Sequence, residues 1–206
     1  MIAEPVPTRA GRQRLLARLD LADRAAGLLR NKEEALERER VRLAGHDTRA
    51  RDEWRRRSQH ALEKLLRARS LGAGPELELL IGTPVVSPAE FAPDWQTSMG
   101  ITYPGDVRCE PATVPEVTST AALLPAAEAY RRALVAAAEH AATSAAIRRL
   151  DAELRSTRRR RRAIEERLQP ALESARRSLD LRLDERDRSE AVRVRAATRR
   201  TEDGLA

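Results

Sequence analysis

The sequence predicts a mainly α-helical protein, a long antiparallel two-helix coiled coil with a small middle head containing a short β-hairpin. Three observations carry this. Residues 9–70 contain no proline and repeat apolar residues every seven positions. Residues 123–200 carry a second thin apolar stripe between runs of Arg, Asp and Glu. The stretch between them holds most of the prolines and turns to β-branched and aromatic residues. The division expected is 1–71 as the N-terminal coiled-coil helix, 72–120 as the small head, and 121–206 as the C-terminal coiled-coil helix and tail.

In chain order, Thr8 follows Pro5 and Pro7 and suits the N-cap of the first helix. Leu15, Ala22, Leu29, Leu36, Leu43 and Ala50 lie seven apart; Leu19 and Ala26 fill the alternate seam position, which turns charged at Glu33 and Arg40. Trp54, Ala61, Leu62, Leu65 and Leu66 resume an apolar face. Leu71-Gly72-Ala73-Gly74-Pro75 punctuates the helix end, with glycine after the last turn and then proline. In the head, Leu79-Leu80-Ile81 reads as a short helix or strand and Pro84-Val85-Val86 as a turn. Met99–Tyr103 and Thr113–Val117 read as short strands, with a turn at Pro104-Gly105-Asp106. The second long helix has its seam at Tyr130, Leu134, Ala137, Ala141, Ile147, Leu150, Leu154, Ile164, Leu168, Leu172, Ala175, Leu179 and Leu183. At 1.5 Å per residue a continuous helix of this extent runs on the order of 115 Å, so it must lie against another helix. A compact middle then forces antiparallel pairing within one chain.

Composition narrows the function. Five aromatic residues in 206 do not support a large layered core, and 34% charged residues with abundant Ala, Leu and Arg is a coiled-coil composition. No run approaches the length of a membrane span and the N-terminus has no signal-peptide pattern, so a soluble intracellular protein is expected. One cysteine, Cys109, excludes an internal disulfide framework. Residues 1–70 carry 18 basic and 11 acidic groups, residues 71–120 carry 1 and 7, and residues 121–206 carry 20 and 14. Two basic helices therefore flank an acidic middle. Only Lys32 and Lys64 are lysines.

No motif for chemistry emerges. There is no GxxxxGK[ST] phosphate loop and no GxSxG elbow. His46, His60 and His140 are scattered without metal-ligand spacing. Neither a catalytic residue nor a cofactor or metal site is expected. The run Arg158–Arg162 sweeps about 500° around a helix, so it forms a collar, solvated or pairing with carboxylates of an acidic surface. Nucleic acid is disfavoured as partner, since no aromatic stacking platform accompanies the run.

Pro7-Thr8-Arg9, Leu19, Leu21, Ala22, Leu28-Leu29-Arg30, Lys32 and Ala35-Leu36 resemble the PTR…LLK.K…L stretch of the D subunit of the V/A-type rotary ATPases. Thr157 with the arginines after it, Ala163-Ile164-Glu165 and Pro170 resemble that family's TTRRVNALE…P segment. Leu183–Arg188 with Glu190, Val192-Arg193-Val194 and Arg195 resemble its LE.RERE…FRLK segment. Asp94-Trp95 and Thr102–Asp106 are similar to its variable head. The resemblance implies a non-catalytic central-stalk shaft that transmits torque between a catalytic ring and a membrane ion-translocating rotor. Its implied partners are catalytic and regulatory ring subunits, the F subunit of the stalk and the membrane-rotor adaptor subunit, in a cytoplasmic complex peripheral to a membrane, without insertion of this chain. Candidate contact residues are Pro7, Thr8, Arg9, Arg186, Arg188, Arg193 and Arg195; the seam residues on which such a shaft depends are Leu15, Leu19, Ala22, Leu29, Leu36, Ile164, Leu168, Leu172 and Leu179. The alternative is a free-standing coiled-coil adaptor or nucleic-acid-binding protein.

Overall fold

The computed structural model describes residues 8–82, 87–112 and 121–203. The elements are α1 (Arg9–Ser70), α2 (Gly74–Gly82), β1 (Glu90–Ser98), β2 (Ile101–Glu110), α3 (Leu124–Ala163), a π-helical turn (Ile164–Leu168) and α4 (Gln169–Asp203). Pro7, Pro84-Val85-Val86 and Thr113–Val117 lie outside the described residues. Contacts divide the chain into two compact units: Met1–Glu33 with Ser156–Ala206, and Glu34–Arg155.

Both ends of α1 are capped. The Gly11 amide donates to Thr8 Oγ1 at 3.1 Å, satisfying one of the orphan donors of the first turn. At the other end the amide of Ala73 donates to the carbonyl of Ala68 and that of Gly72 to Arg69. Gly72 takes φ +91° there, the left-handed conformation that ends a helix in the Schellman motif at little cost only for glycine. The apolar contact of that motif follows, since Ala68 and Ala73 are buried with Leu123.

In the first unit the start of α1 packs antiparallel on α4. Leu15, Ala22, Leu172 and Leu179 form the core, with Leu19, Ile164, Leu168, Ala175 and Leu183 partly buried around it. Arg12 pairs with Asp180 and Arg30 with Glu165, which fixes the opposite running directions. The seam on this side steps through 157, 161, 164, 168, 172, 175 and 179, one residue too many for regular heptads against the unbroken repeat on α1. The π turn absorbs that residue. Pro170 has no amide to offer the Glu166 carbonyl and its ring would crowd it. The Gln169 amide accordingly reaches the Ile164 carbonyl, five residues back. From Asp184 to Arg199 every residue of α4 is exposed.

In the second unit α1 packs antiparallel on α3. Leu36, Leu43, Ala146, Leu150 and Leu154 are buried together with Tyr103 of the hairpin. Leu36 and Leu150 are fully buried, each such side chain contributing about 1.5–3 kcal/mol relative to exposure. Nearer the head the seam is made of Ala61, Ala129 and Ala133. This corrects the expected phase of the seam. Tyr130 is 44% exposed and Ala141 is exposed, while Ala126, Ala129, Ala133 and Ala136 face inward.

The hairpin also differs from expectation. Its turn is Met99-Gly100, with φ of +50° and +78°, the pair of positive angles that lets a two-residue connection follow the twist of the strands. Pro104-Gly105-Asp106 lies inside β2, where pairing steps from Pro93↔Val107 to Trp95↔Pro104. One extra residue on β2 makes a bulge, the position at which a strand tolerates proline and glycine. A Cβ on Gly105 would lie 2.6 Å from the Gln96 side-chain nitrogen, so any other residue there requires the Gln96 side chain to move.

Candidate functional site

Among the described residues no group of three His, Cys, Asp or Glu side chains is placed to hold a metal ion, and no helix is long and apolar enough to cross a membrane. The polar chemistry lies instead in the helix–helix seam and on the surfaces beside it.

Where the α1 heptad turns charged, each charge meets a partner on the facing helix. In the second unit Arg40 Nε donates to Asp151 at 2.5 Å, and seven residues on Asp47 accepts Ser144 Oγ at 2.8 Å. A step of seven on α1 is met by a step of seven back on α3, so the pairs specify register, the best-attested use of ionised seam positions. His140 Nδ1 lies 3.0 Å from Asp47 Oδ1 without hydrogen-bond alignment, and its ring stacks on Trp54 with centroids 5.5 Å apart. In the first unit Glu33 receives both Arg158 and Arg161, at 2.7 and 3.1 Å, and Arg161 also bonds Glu165 beside the π turn. The Arg158 hydrogen bond, reinforced by Arg161, holds the Glu33 carboxyl below the usual carboxylate range. The arginine collar thus divides, with Arg158 and Arg161 turned to Glu33 and Arg159, Arg160 and Arg162 exposed.

The hairpin is pinned to the helices by side chains that the sequence does not mark as anchors. Tyr103 is 3% exposed and its hydroxyl donates to Glu39 at 2.7 Å. Arg42 grips the same carboxylate through two bonds. The Arg42 bond is the larger cause that pulls the Glu39 carboxyl down, while burial first and the Glu39 contact second push the Tyr103 phenol up. Arg149 of α3 donates to the Thr102 carbonyl at 2.8 Å and lies 5.0 Å over the Trp95 ring. Beside this anchor an apolar groove of about 470 Å³ opens between the outer face of the hairpin and α3, lined by Phe91, Pro93, Trp95, Leu134 and Ala137 among others. A readable signal for the anchor existed only in part: Tyr103 is one of five aromatic residues in a chain with little else to bury.

The expected seam residues are distributed as follows. Leu15, Ala22, Leu36, Leu172 and Leu179 are buried; Leu19, Leu29, Ile164 and Leu168 are half-buried. Leu36 belongs to the second unit, the others to the first. Of the candidate contact residues, Thr8 is the α1 cap and Arg9 is exposed at a polar groove that also includes Arg12, Asp180 and Asp184. Arg186 pairs with Glu190 on its own helix at 2.9 Å, and Arg188, Arg193 and Arg195 are exposed on α4 beyond the seam.

Fold and site together define a helical scaffold protein, in which ionised groups set helix register and anchor a hairpin. A family model for the ATP synthase D subunit matches residues 12–199, and the chain belongs to that family. No curated protein matches the sequence.

Proposed function

We propose that this chain is the central rotor stalk subunit of a V/A-type rotary ATPase or ATP synthase, transmitting torque between the catalytic ring and the membrane ion-translocating rotor. The family match over nearly the whole chain carries the proposal. The charged seam supports it, because twisting one helix about another must break paired groups such as Arg40–Asp151 as well as slide apolar contacts. The chain is non-catalytic in this reading. Being asymmetric, it meets each catalytic site of a surrounding ring differently and so biases their conformations differently, and rotation exchanges those states.

The division of labour we assign is a coiled coil from 1–71 and 121–206 and a head from 72–120. The exposed end of α4, with Arg186, Arg188, Arg193 and Arg195, and the N-terminal residues Pro7, Thr8 and Arg9 face acidic surfaces of the catalytic and regulatory ring subunits. The F subunit of the stalk grips the apolar groove beside the hairpin, and the head meets the membrane-rotor adaptor. The complex sits on the cytoplasmic side of the membrane. The test is purification of the complex through a tag on this chain. Ring, stalk and membrane-rotor subunits in fixed stoichiometry, with ATP hydrolysis absent from the isolated chain, are expected. Recovery of the chain alone, or with nucleic acid lost steeply as salt rises, overturns the reading.

A further inference from the structure

A further groove, of about 610 Å³, runs between α1 and α3 in the second unit, and the stalk reading leaves it without a role. Its α1 wall carries Arg56, His60 and Lys64 at four-residue steps, about 6 Å apart along one helix face. Its α3 wall carries Glu128 and Arg132, and Pro125 and the nearly buried Ala129 give it an apolar floor.

The charges in this groove do not cancel. Arg56 and Arg57 share the single carboxylate of Glu53. Arg132 bonds Glu128 at 2.9 Å, His60 stands 4.0 Å from Glu63, and no carboxylate among the described residues pairs with Lys64. Four permanent cations therefore face two carboxylates. The wall is also built rather than loose, since Arg57 reaches across and donates to the Arg132 backbone carbonyl at 3.3 Å.

We infer that this groove docks an acidic helix of a partner protein. Arg56 and Lys64, two turns and about 12 Å apart on one helix face with the His60 ring between them, match carboxylates at i and i+8 on a helix laid along it. The small floor residues let such a helix approach closely, and forked Arg–carboxylate bonds then set its register. The inference rests on the stalk reading only for the assembly in which it is tested.

Lysine supplies the probe, because Lys32 and Lys64 are the only lysines in the chain. Zero-length carbodiimide coupling of the intact, subunit-verified assembly should join the Lys64 amine to an Asp or Glu of another subunit within a helical, acidic segment. Lys64→Arg should abolish that product while leaving subunit content unchanged. Arg56→Glu with Lys64→Glu, both at exposed or half-exposed sites, should weaken the purified chain's affinity for the captured subunit ten-fold or more at low salt, with helix content preserved by circular dichroism. The difference should fade as salt screens the groove. Absence of any Lys64 product in an assembly with full subunit content overturns the inference. So does saturable binding of inorganic tripolyphosphate that the same double variant removes, which would make the groove a small-anion site. An assembly that lacks the other subunits altogether tells against the stalk reading instead.

Discussion

Four residues, Thr157, Glu33, Glu39 and Tyr103, set the local energetics most clearly. Thr157 is fully buried in the first unit and its hydroxyl has no hydrogen-bond partner. An unsatisfied buried hydroxyl costs about 1–3 kcal/mol, whereas the isosteric apolar side chain carries no such penalty. Thr157→Val should therefore raise the thermal midpoint by a few degrees, about 1 kcal/mol; a midpoint that falls would show that the hydroxyl is satisfied in solution. Glu33 in the first unit, and Glu39 with Tyr103 in the second, make a pH prediction with a sign at each end. Glu33 and Glu39 lie below the ordinary glutamate value of about 4.5 in the folded chain. The unfolded chain then takes up protons first, and the stability these groups contribute, present above that value, is lost as pH falls through it toward the folded value. The Tyr103 phenol lies above its ordinary value of about 10, so its contribution is present below that pH and lost as pH rises through the folded value. Thermal melts across pH should show both limbs. Glu33→Gln with Glu39→Gln should flatten the acid one, and Tyr103→Phe the alkaline one.

Elements are legible where residue types contrast and illegible where they do not. Thr8, Gly72 and the Leu-bearing heptads of α1 announce a capped helix and its seam because a leucine every seventh position has one reading. In the first third of α3 the inward positions Ala126, Ala129, Ala133 and Ala136 are all alanine and do not stand out from the alanines beside them, while the larger Tyr130, which suggests another phase, lies on the outer face. The hairpin misleads for a similar reason. Pro104-Gly105-Asp106 is the stronger turn signal by composition, but those residues form a bulge, and the chain reverses at Met99-Gly100, where only one of the two residues favours a positive φ. The π turn is hidden in arithmetic, the extra residue between Ile164 and Leu172. Removing that residue should leave the seam aligned. Deleting exposed Glu166 together with Pro170→Ala should restore a regular α-helix with Leu172 and Leu179 still facing α1, and should change stability little. Deleting Ser174 instead turns Leu179 by about 100°. That should cost about 2–5 kcal/mol, the range for losing a buried leucine. Denaturant unfolding of the two deletions distinguishes them, and equal losses would remove the π turn from the account of register.

For the whole molecule, the question is whether the seam carries load or merely holds the protein together. Leu172 is 1% exposed and Leu168 half-buried, both in the core cluster of the first unit that also holds Leu15, Leu19 and Ala22. Replacing a buried leucine by alanine costs about 2–5 kcal/mol, and less at the half-buried position. Leu168→Ala with Leu172→Ala should thus loosen that pair of helices. The second unit, whose core is built from Leu36, Leu43, Leu150 and Tyr103, shares none of those contacts and should stay folded. If the chain is the rotor stalk proposed above, a loosened stalk should still allow the catalytic ring to turn over, since in that reading the ring's own sites bind and cleave nucleotide. It should then deliver less torque to the ion-translocating rotor, because a helix pair that slips converts part of each rotation into local unwinding. ATP hydrolysis and ion pumping measured on the same preparation should therefore separate in the double variant, with hydrolysis retained and pumping reduced. Exposed arginines give the contrasting case in the proposed assembly: replacing Arg186, Arg188, Arg193 and Arg195 by alanine should weaken insertion into the ring and lower both activities together at low salt, and the difference from the unaltered chain should shrink as salt screens these charges. If the seam variant instead loses hydrolysis and pumping equally while its subunit content is unchanged, the apolar seam has no selective part in coupling and serves assembly alone.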